Sequence, residues 1–147
     1  MKSKIVVVAV SLEKETHRSL LQLKNMDISP DSEIHLVHVV PVIWYARGMQ
    51  LSVLKYPLEV ERPRIEQAIL AKLIAVKEEL LPLHTNVTCH CLFDANVKAV
   101  FADYAFKSQA DLVIVASRNK HGVSTLFDSS FAQYQLRHST ANMLVLR

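Results

Sequence analysis

The stretch Lys4-Ile-Val-Val-Val-Ala-Val10 is an uninterrupted apolar run in which most residues are β-branched. A run of this kind, without alternating polar residues, is typical of a parallel strand that is buried on both faces. A second run of the same character, Asp111-Leu-Val-Ile-Val-Ala116, lies towards the other end of the chain. Strands buried on both faces need helices on both sides of one sheet, which indicates an α/β fold.

The segments around these two runs alternate between helix and strand patterns. Strands are predicted at 4–10, 33–40, 86–92, 111–116 and 142–147. Helices are predicted at 13–26, 64–81, 97–105 and 130–138, the third capped by Asp94-Ala95-Asn96 and the last opening on a capping box of Ser130 and Gln133. The order β-α-β-α-β-α-β-α-β predicts a single domain, residues 1–147, with parallel strands joined by right-handed crossovers. Residues 42–62 are predicted to be irregular, and 117–129 to be a long loop with a short helical turn at 125–127.

The composition excludes several classes of protein. The chain has 147 residues, half of them apolar, and a formal charge of +3 without a basic stripe, so neither nucleic-acid nor membrane binding is expected. Met1 to Val10 is interpreted as a first strand rather than a signal peptide, because the apolar run is short and no cleavage site follows. The only two cysteines give no disulfide framework, which favours a cytoplasmic protein.

Glycine is scarce, and its scarcity rules out two motifs. Only Gly48 and Gly122 occur, so neither the glycine-rich dinucleotide fingerprint nor the Walker phosphate loop exists in this chain. No G-x-S-x-G elbow supports a serine hydrolase. The sequence therefore predicts no catalytic residues and a protein that is not an enzyme.

Histidine and cysteine do not form a metal-site pattern. In Cys89-His90-Cys91 the two thiols point to one face of a strand and the imidazole to the other, so the three cannot chelate one ion. His35 and His38 likewise face opposite sides of their strand. Partly buried thiols and no metal site are predicted.

The run Ala110-Asp-Leu-Val-Ile-Val-Ala-Ser-Arg118 resembles the fourth strand of the universal stress protein family, A-D-L-I-V-x-G-S-R/H-G. The ending from Leu136 to Arg147 is similar to the family's L-R-H-x-x-x-P-V-L-V-V, and the first strand and Phe93-Asp94-Ala95 also match family positions. The resemblance implies a flavodoxin-like, adenine-nucleotide α-hydrolase-like three-layer sandwich with strand order 3-2-1-4-5. It also implies a stress-response protein that forms a homodimer through its last strand, with the interface residues Asn142, Met143, Leu144, Val145 and Leu146.

The family's nucleotide-binding motif, G-x2-G-x9-G-S/T, is degenerate in this chain. The three glycine positions hold Ala116, Asn119 and Ser129, and Ser130 keeps the hydroxyl. The family's aspartate after the first strand is Ser11 here. The resemblance thereby implies the branch of the family that does not bind ATP and uses no cofactor. The vestigial nucleotide-binding residues are Val10, Ser11, Val40, Ala116, Ser117, Arg118, Asn119, Ser129 and Ser130.

Nucleotide binding stays open as the alternative. The amino end of the last helix offers free N–H groups and a positive dipole end, and Arg118, Lys120 and His121 surround it with positive charge. ATP or AMP with magnesium is the ligand in that case. The apolar residues of segment 42–62 likewise allow two interpretations, a lid or partner patch and a segment folded back on the core.

Overall fold

The computed structural model describes residues 4–47, 52–116 and 130–147. The strands are β1 (Ile5–Ala9), β2 (Glu33–Pro41), β3 (Ile43–Arg47), β4 (Ser52–Tyr56), β5 (Val87–Asp94), β6 (Leu112–Ala116) and β7 (Asn142–Leu146). The helices are α1 (Lys14–Leu20), a 3-10 turn (Leu21–Asn25), α2 (Arg62–Leu80), α3 (Val97–Lys107) and α4 (Ser130–His138).

Five strands form one parallel sheet in the order β5-β2-β1-β6-β7. Counting only these strands along the chain, the order is 3-2-1-4-5, so the predicted flavodoxin-like topology is confirmed. β1 lies at the centre, where Val7 pairs with His35 of β2 on one side and with Val113 of β6 on the other. The two edges of the sheet are β5 and β7.

Side chains alternate along the buried strands and fill two separate cores. Val6, Val8 and Ile114 pack with α2 and the 3-10 turn on one face of the sheet. Val7 and Val113 pack with Phe101 of α3 and with α4 on the other face. Both faces of β1 are therefore buried away from water, as the unbroken apolar run predicted.

Three local predictions need correction. The helix predicted at 13–26 is α1 followed by a separate 3-10 turn. Segment 42–62 was predicted to be irregular, but its described residues include two strands, β3 and β4, which pair antiparallel. The α2 helix begins at Arg62 rather than 64, with Pro63 in its first turn, where the missing N–H costs nothing.

Several predicted features lie outside the described residues or side chains. The helical turn at 125–127 and the loop 117–129 are among them, as is the capping box at the start of α4. Within the described residues, no helix is both long enough and apolar enough to cross a membrane.

The predicted cap of α3 is confirmed at atomic detail. The Asn96 side-chain oxygen accepts a hydrogen bond from the backbone N–H of Ala99 at 3.1 Å. The Asp94 carboxylate in turn accepts from the Asn96 N–H at 2.8 Å. These two bonds fix the turn between β5 and α3 and so set how α3 lies on the sheet.

Replacing Asn96 with alanine is expected to lower the free energy of unfolding by about 1 kcal/mol, because the Ala99 N–H loses its acceptor. Asn96→Ser is the matched control, since serine caps nearly as well. Urea unfolding followed by circular dichroism measures both. Equal losses in the two variants would show that the cap bond is not what stabilises this turn.

Candidate functional site

The carboxyl ends of the parallel strands meet along one edge, where ligands of such sheets bind. Val10 and Ser11 follow β1, Val40 lies near the end of β2, and Ala116 ends β6, the strand beside β1. The structure thus brings these four predicted residues to a common edge. Ser117, Arg118, Asn119 and Ser129 lie outside the described residues, and Ser130 begins α4.

A small cleft of about 150 Å³ opens beside the end of β1, between α1 and α2. Its lining is Val10, Ser11, Leu12, Glu13, Lys14, His17, Leu20 and Val76. Small-molecule sites usually enclose about 300–1,000 Å³. The volume of this cleft is therefore modest for a nucleoside.

Backbone acceptors in the loop after β1 are already engaged within the chain. The Nδ1 of His38 lies 2.7 Å from the carbonyl oxygen of Val10, so that nitrogen carries the hydrogen and donates it. The Thr16 hydroxyl lies 2.9 Å from the carbonyl oxygens of both Ser11 and Glu13, which share its single hydrogen. Thr16 is 2% exposed, so this bond is shielded from water.

The backbone after β2 is engaged as well. The Val42 N–H donates to the carbonyl oxygen of Asp94 at 3.0 Å. This bond extends the hydrogen bonding between β2 and β5 by one residue beyond β2. Pro41, just before Val42, has no N–H to offer. The chain segment beyond β2 is thereby held by β5.

These observations test whether the described part of the cleft fits the adenine and ribose of a nucleotide. Ser11 brings no carboxylate to accept hydroxyl groups. The neighbouring carbonyl groups of β1 and the N–H after β2 already have partners inside the chain. The phosphate half of the motif lies outside the described residues.

The cleft also has charged groups near its mouth. His17 Nε2 lies 3.4 Å from the Glu79 carboxylate, and both side chains are more than 40% exposed. A pair with this exposure contributes little to stability, because water and salt screen it. It joins α1 to α2 across the opening without closing it.

Sequence reasoning missed His38 and Thr16. The signal in the sequence was a polar residue at the carboxyl end of an otherwise apolar strand, and a threonine in the first turn of a helix. Both residue types are common in such places for other reasons. Only the fold shows that each one binds a carbonyl group at the same strand end.

The two thiols lie on the α2 face of β5, as predicted, with the imidazole of His90 on the opposite face. Burial raises the pKa of the Cys89 thiol. Burial, and then the Glu66 carboxylate, raise the pKa of Cys91 to about 11. Thiolate is the form that binds metals and reacts, so these thiols are suited to packing. No group of three histidine, cysteine or carboxylate residues with metal-site geometry occurs among the described residues.

A polar cluster lies under α3 on the other face of the sheet. His35 Nε2 is 2.7 Å from the Glu33 carboxylate, and its Nδ1 is 2.8 Å from the Tyr104 hydroxyl. The tautomer that satisfies all three groups has Nε2–H donating to Glu33 and Nδ1 accepting from Tyr104. The ring of His90 lies 5.3 Å from those of both His35 and Tyr104, and its Nε2 is 2.8 Å from the Thr88 hydroxyl.

The cluster disfavours charge on two of its members. Burial, and then the nearby His35, lower the pKa of His90, and Glu33 opposes them only in part. Burial likewise raises the pKa of Tyr104, with Glu33 adding to it and Ser108 opposing. A tyrosine with a raised pKa is a poor nucleophile at neutral pH.

Stability is expected to fall as the pH drops below 6.5, the ordinary pKa of histidine. Folding lowers the pKa of His90, so the unfolded chain binds the proton more tightly and acid favours unfolding. Above pH 6.5 this contribution is fully present. His90→Gln should show a smaller loss between pH 6.5 and about 5, because glutamine does not titrate.

The measurement is the free energy of unfolding by urea at each pH. His138→Gln, at the exposed end of α4, is the control for removing a histidine. If the wild-type chain and the His90 variant lose stability in parallel over this window, the interpretation of the cluster is wrong.

The comparisons with known proteins agree with this fold. The model of the Universal stress protein family matches residues 2–147. The universal stress protein UspA from Lactobacillus plantarum superposes with a TM-score of 0.70 at 16% identity, over 100% of this chain and 99% of that one. No curated protein matches the chain.

Two similar solved structures are described as nucleotide complexes. The universal stress protein from Archaeoglobus fulgidus in complex with dAMP has a TM-score of 0.61 at 12% identity, covering 99% of this chain and 98% of that one. A universal stress protein family protein from Arabidopsis thaliana with AMP bound has a TM-score of 0.59 at 17% identity, covering 97% and 90%. At these identities the likeness shows a shared fold. Because the family model spans nearly the whole chain and the sheet order agrees with it, the chain belongs to the Universal stress protein family.

Proposed function

We propose that this chain is a non-enzymatic, cytoplasmic universal stress protein that acts by self-association and protein contacts, without bound ATP. The observation that supports this most directly is at the strand ends. The carbonyl group of Val10 is bound by His38, those of Ser11 and Glu13 by Thr16, and the N–H of Val42 by Asp94. A ligand would have to displace the bond of the Val42 N–H and share the carbonyl oxygens with His38 and Thr16.

The residues at the motif positions support the same conclusion. Ala116 places a Cβ where the family has a glycine that lets the backbone approach phosphate. Ser11 removes the charged acceptor of the adenine and ribose side. Each change by itself weakens a nucleotide site, and the two act at opposite ends of the ligand.

The non-enzymatic part of the proposal has its own support. Within the described residues, the histidines at the carboxyl edge are His17, in a partly exposed pair with Glu79, and His38, whose Nδ1 donates to a carbonyl group. Neither arrangement presents a base to a nucleophile. The self-association part is supported by β7, whose backbone pairs with β6 on one side only.

Nucleotide binding remains the second candidate function. Two structural neighbours are described with AMP and dAMP bound. α4 is nine residues long and begins at Ser130. The backbone N–H groups at the start of such a helix favour anions. In this alternative the phosphates lie at the start of α4, and the protein acts as a nucleotide-dependent switch.

ATP or AMP with magnesium is expected to leave the melting temperature unchanged. A ligand present at a hundred times its dissociation constant would add about 2.7 kcal/mol to the free energy of unfolding. For a domain of this size that is a shift of roughly 5–15 °C. Differential scanning calorimetry with and without each nucleotide makes the measurement. A shift in this range would overturn the ATP-free proposal and favour the nucleotide switch.

Val145→Asp is expected to convert a dimer into a monomer, because it places a carboxylate in the middle of the proposed β7–β7 contact. Multi-angle light scattering after size exclusion measures the mass. Leu83→Asp, at a residue 90% exposed beyond α2, is the control for the added charge.

The Val145 variant must first be shown to be folded by its circular dichroism, since Val145 also pairs with Val115 of β6. Val145→Thr, which keeps the β-branched shape, should remain dimeric. If the folded Val145→Asp chain is still a dimer through this edge, β7 is not the interface.

A further inference from the structure

β5 is an edge strand, and within the described residues only β2 pairs with it. At its start, the carbonyl oxygen of Asn86 accepts from the Ile34 N–H at 2.9 Å. At its end, the carbonyl oxygen of Asp94 accepts from the Val42 N–H at 3.0 Å. Because a strand repeats every two residues, the even-numbered residues of β5 direct their backbone groups to β2. The odd-numbered residues direct theirs outwards, and these are Val87, Cys89, Cys91 and Phe93.

The outer side of β5 lacks the features that usually protect an edge strand. Before its last residue, Asp94, the strand reads Val87-Thr-Cys-His-Cys-Leu-Phe93, with no lysine, acidic residue or proline. Its register with β2 runs from end to end without a bulge. Lysine, proline and bulges are the means by which natural sheets keep a further strand from pairing at an edge. β5 is therefore a template for another strand.

Two charges on α2 show which side of that helix lies beside the outer side of β5. Burial raises the pKa of both thiols of β5, but Lys77 opposes this effect at Cys89, whereas Glu66 adds to it at Cys91. Lys77 is thus near the amino end of β5 and Glu66 nearer its carboxyl end. Glu79, which pairs with a histidine of α1, lies on the other side of the helix.

The side of α2 towards the edge strand carries a stripe of four residues, which we call the α2 stripe: Glu66, Leu70, Ile74 and Lys77. Spacings of four, four and three residues keep them on one side of a helix. Leu70 is half-buried, and Ile74 is 48% exposed although it is large and apolar. The order anion, apolar, apolar, cation is self-complementary when two copies of the helix lie antiparallel.

We propose that β5 pairs antiparallel with β5 of a second copy of this chain, about a two-fold axis at His90, so that the two sheets become continuous. A two-fold contact sets residue i against residue j of the other copy and the reverse. This axis sets Cys89 against the partner's Cys91 and Val87 against the partner's Phe93. All of these residues direct their backbone groups outwards, so each pair exchanges two hydrogen bonds.

The α2 stripe selects the same axis as the strand. Since Lys77 lies near Cys89 and Glu66 near Cys91, pairing of the two thiol positions brings Lys77 towards the partner's Glu66. Leu70 then meets the partner's Ile74. An axis moved by one residue, to Cys91, would instead bring the two Glu66 carboxylates together, which like-charge repulsion disfavours. The charges therefore favour a second copy in this register.

The separation of the helices also fits this arrangement. α2 packs against both β2 and β5, which places it over the boundary between these strands. With strands about 4.8 Å apart, this boundary lies about 5 Å from an axis beside β5, and the two copies of α2 lie about 10 Å apart. Packed helices are separated by roughly 8–10 Å. The continuous sheet thus brings the two α2 stripes into contact.

His90 meets the partner's His90 across the axis, on the α3 side of the sheet. Burial, and then His35, lower the pKa of His90, although Glu33 opposes them. The facing rings are therefore neutral at pH 7 and do not repel each other by charge.

This contact goes beyond the self-association proposed for β7, because β5 and β7 are opposite edge strands of the sheet. A chain with a two-fold contact at each edge strand forms open assemblies rather than stopping at a dimer. Val145→Asp removes the β7 contact, so the β5 contact is measured by itself in that variant. The same measurements in the wild-type chain show the two contacts together.

Cys91→Pro is expected to convert the Val145→Asp dimer into a monomer. The N–H of residue 91 points outwards, so proline removes a bond of the interface but none of the β2–β5 ladder. Cys91→Val keeps the N–H and is the matched control, which should remain dimeric. Sedimentation velocity over a wide concentration range measures the mass, and circular dichroism shows that each variant is folded.

Lys77→Glu, in the same Val145→Asp background, is expected to weaken the association about tenfold, because a two-fold contact contains the reversed pair twice. Adding Glu66→Lys restores opposite charges with their positions exchanged, and the association should return to within a few-fold of its starting value. Lys72→Glu is the control for net charge, since Lys72 is exposed and lies two turns before Glu79 on the other side of α2.

The possible outcomes separate this contact from the β7 contact. A folded Val145→Asp chain that stays monomeric at the highest concentration measured overturns the β5 contact and leaves the β7 contact standing. A dimer of Val145→Asp that persists in folded Cys91→Pro equally overturns the β5 contact. If Lys77→Glu has no effect, or the charge exchange does not restore the association, the two-fold pairing about His90 is wrong.

Discussion

The central pairing of β1 with β2 and β6 is the constraint on which the rest of the structure depends. Val6, Val7 and Val8 are at most 3% exposed, so no face of this strand meets water. Each face needs its own covering layer, which α2 provides on one side and α3 with α4 on the other. Because all five strands are parallel, their carboxyl ends all lie at the same edge of the sheet. The carboxyl edge and its cleft are a consequence of that arrangement.

The two layers differ in chemistry although they cover the same strands. The α2 layer is apolar and contains the thiols of β5, whose raised pKa values follow from burial. The α3 layer admits a polar network between β2, β5 and Tyr104, in which each polar group has a partner. A buried polar network is tolerated only when it is satisfied. Acid therefore acts on the α3 layer through His90, whose pKa is lowered by burial.

The carboxyl edge is organised by bonds within the chain. His38 and Thr16 hold the loop after β1, and Asp94 holds the segment after β2. These bonds tie α1, β2 and β5 together at the edge where the vestigial nucleotide-binding residues Val10, Ser11 and Val40 lie. The proposed dimer surface, β7, is one edge of the five-stranded sheet.

The sequence by itself determined the class of fold, the five parallel strands and the approximate positions of the helices. Continuous β-branched runs and helical periodicity are local signals, and the cap at Asn96 depends on residues three positions apart. The alternating faces of Cys89, His90 and Cys91 were also predictable, since the period of a strand is fixed. Among the predicted site residues, Val10, Ser11, Val40 and Ala116 lie at a common edge, because the carboxyl ends of parallel strands all lie on the same side of the sheet.

Only the tertiary structure decided which hydrogen bonds the residues at those strand ends make. The bond from His38 to Val10 joins residues 28 positions apart, and the contact of His35 with Tyr104 joins residues 69 apart. No local pattern encodes such pairs, because they depend on strand register and helix placement. The β3–β4 hairpin was missed for a related reason: its exposed apolar residues do not alternate as those of a half-buried strand do. Its pairing became visible only when β3 and β4 were placed side by side.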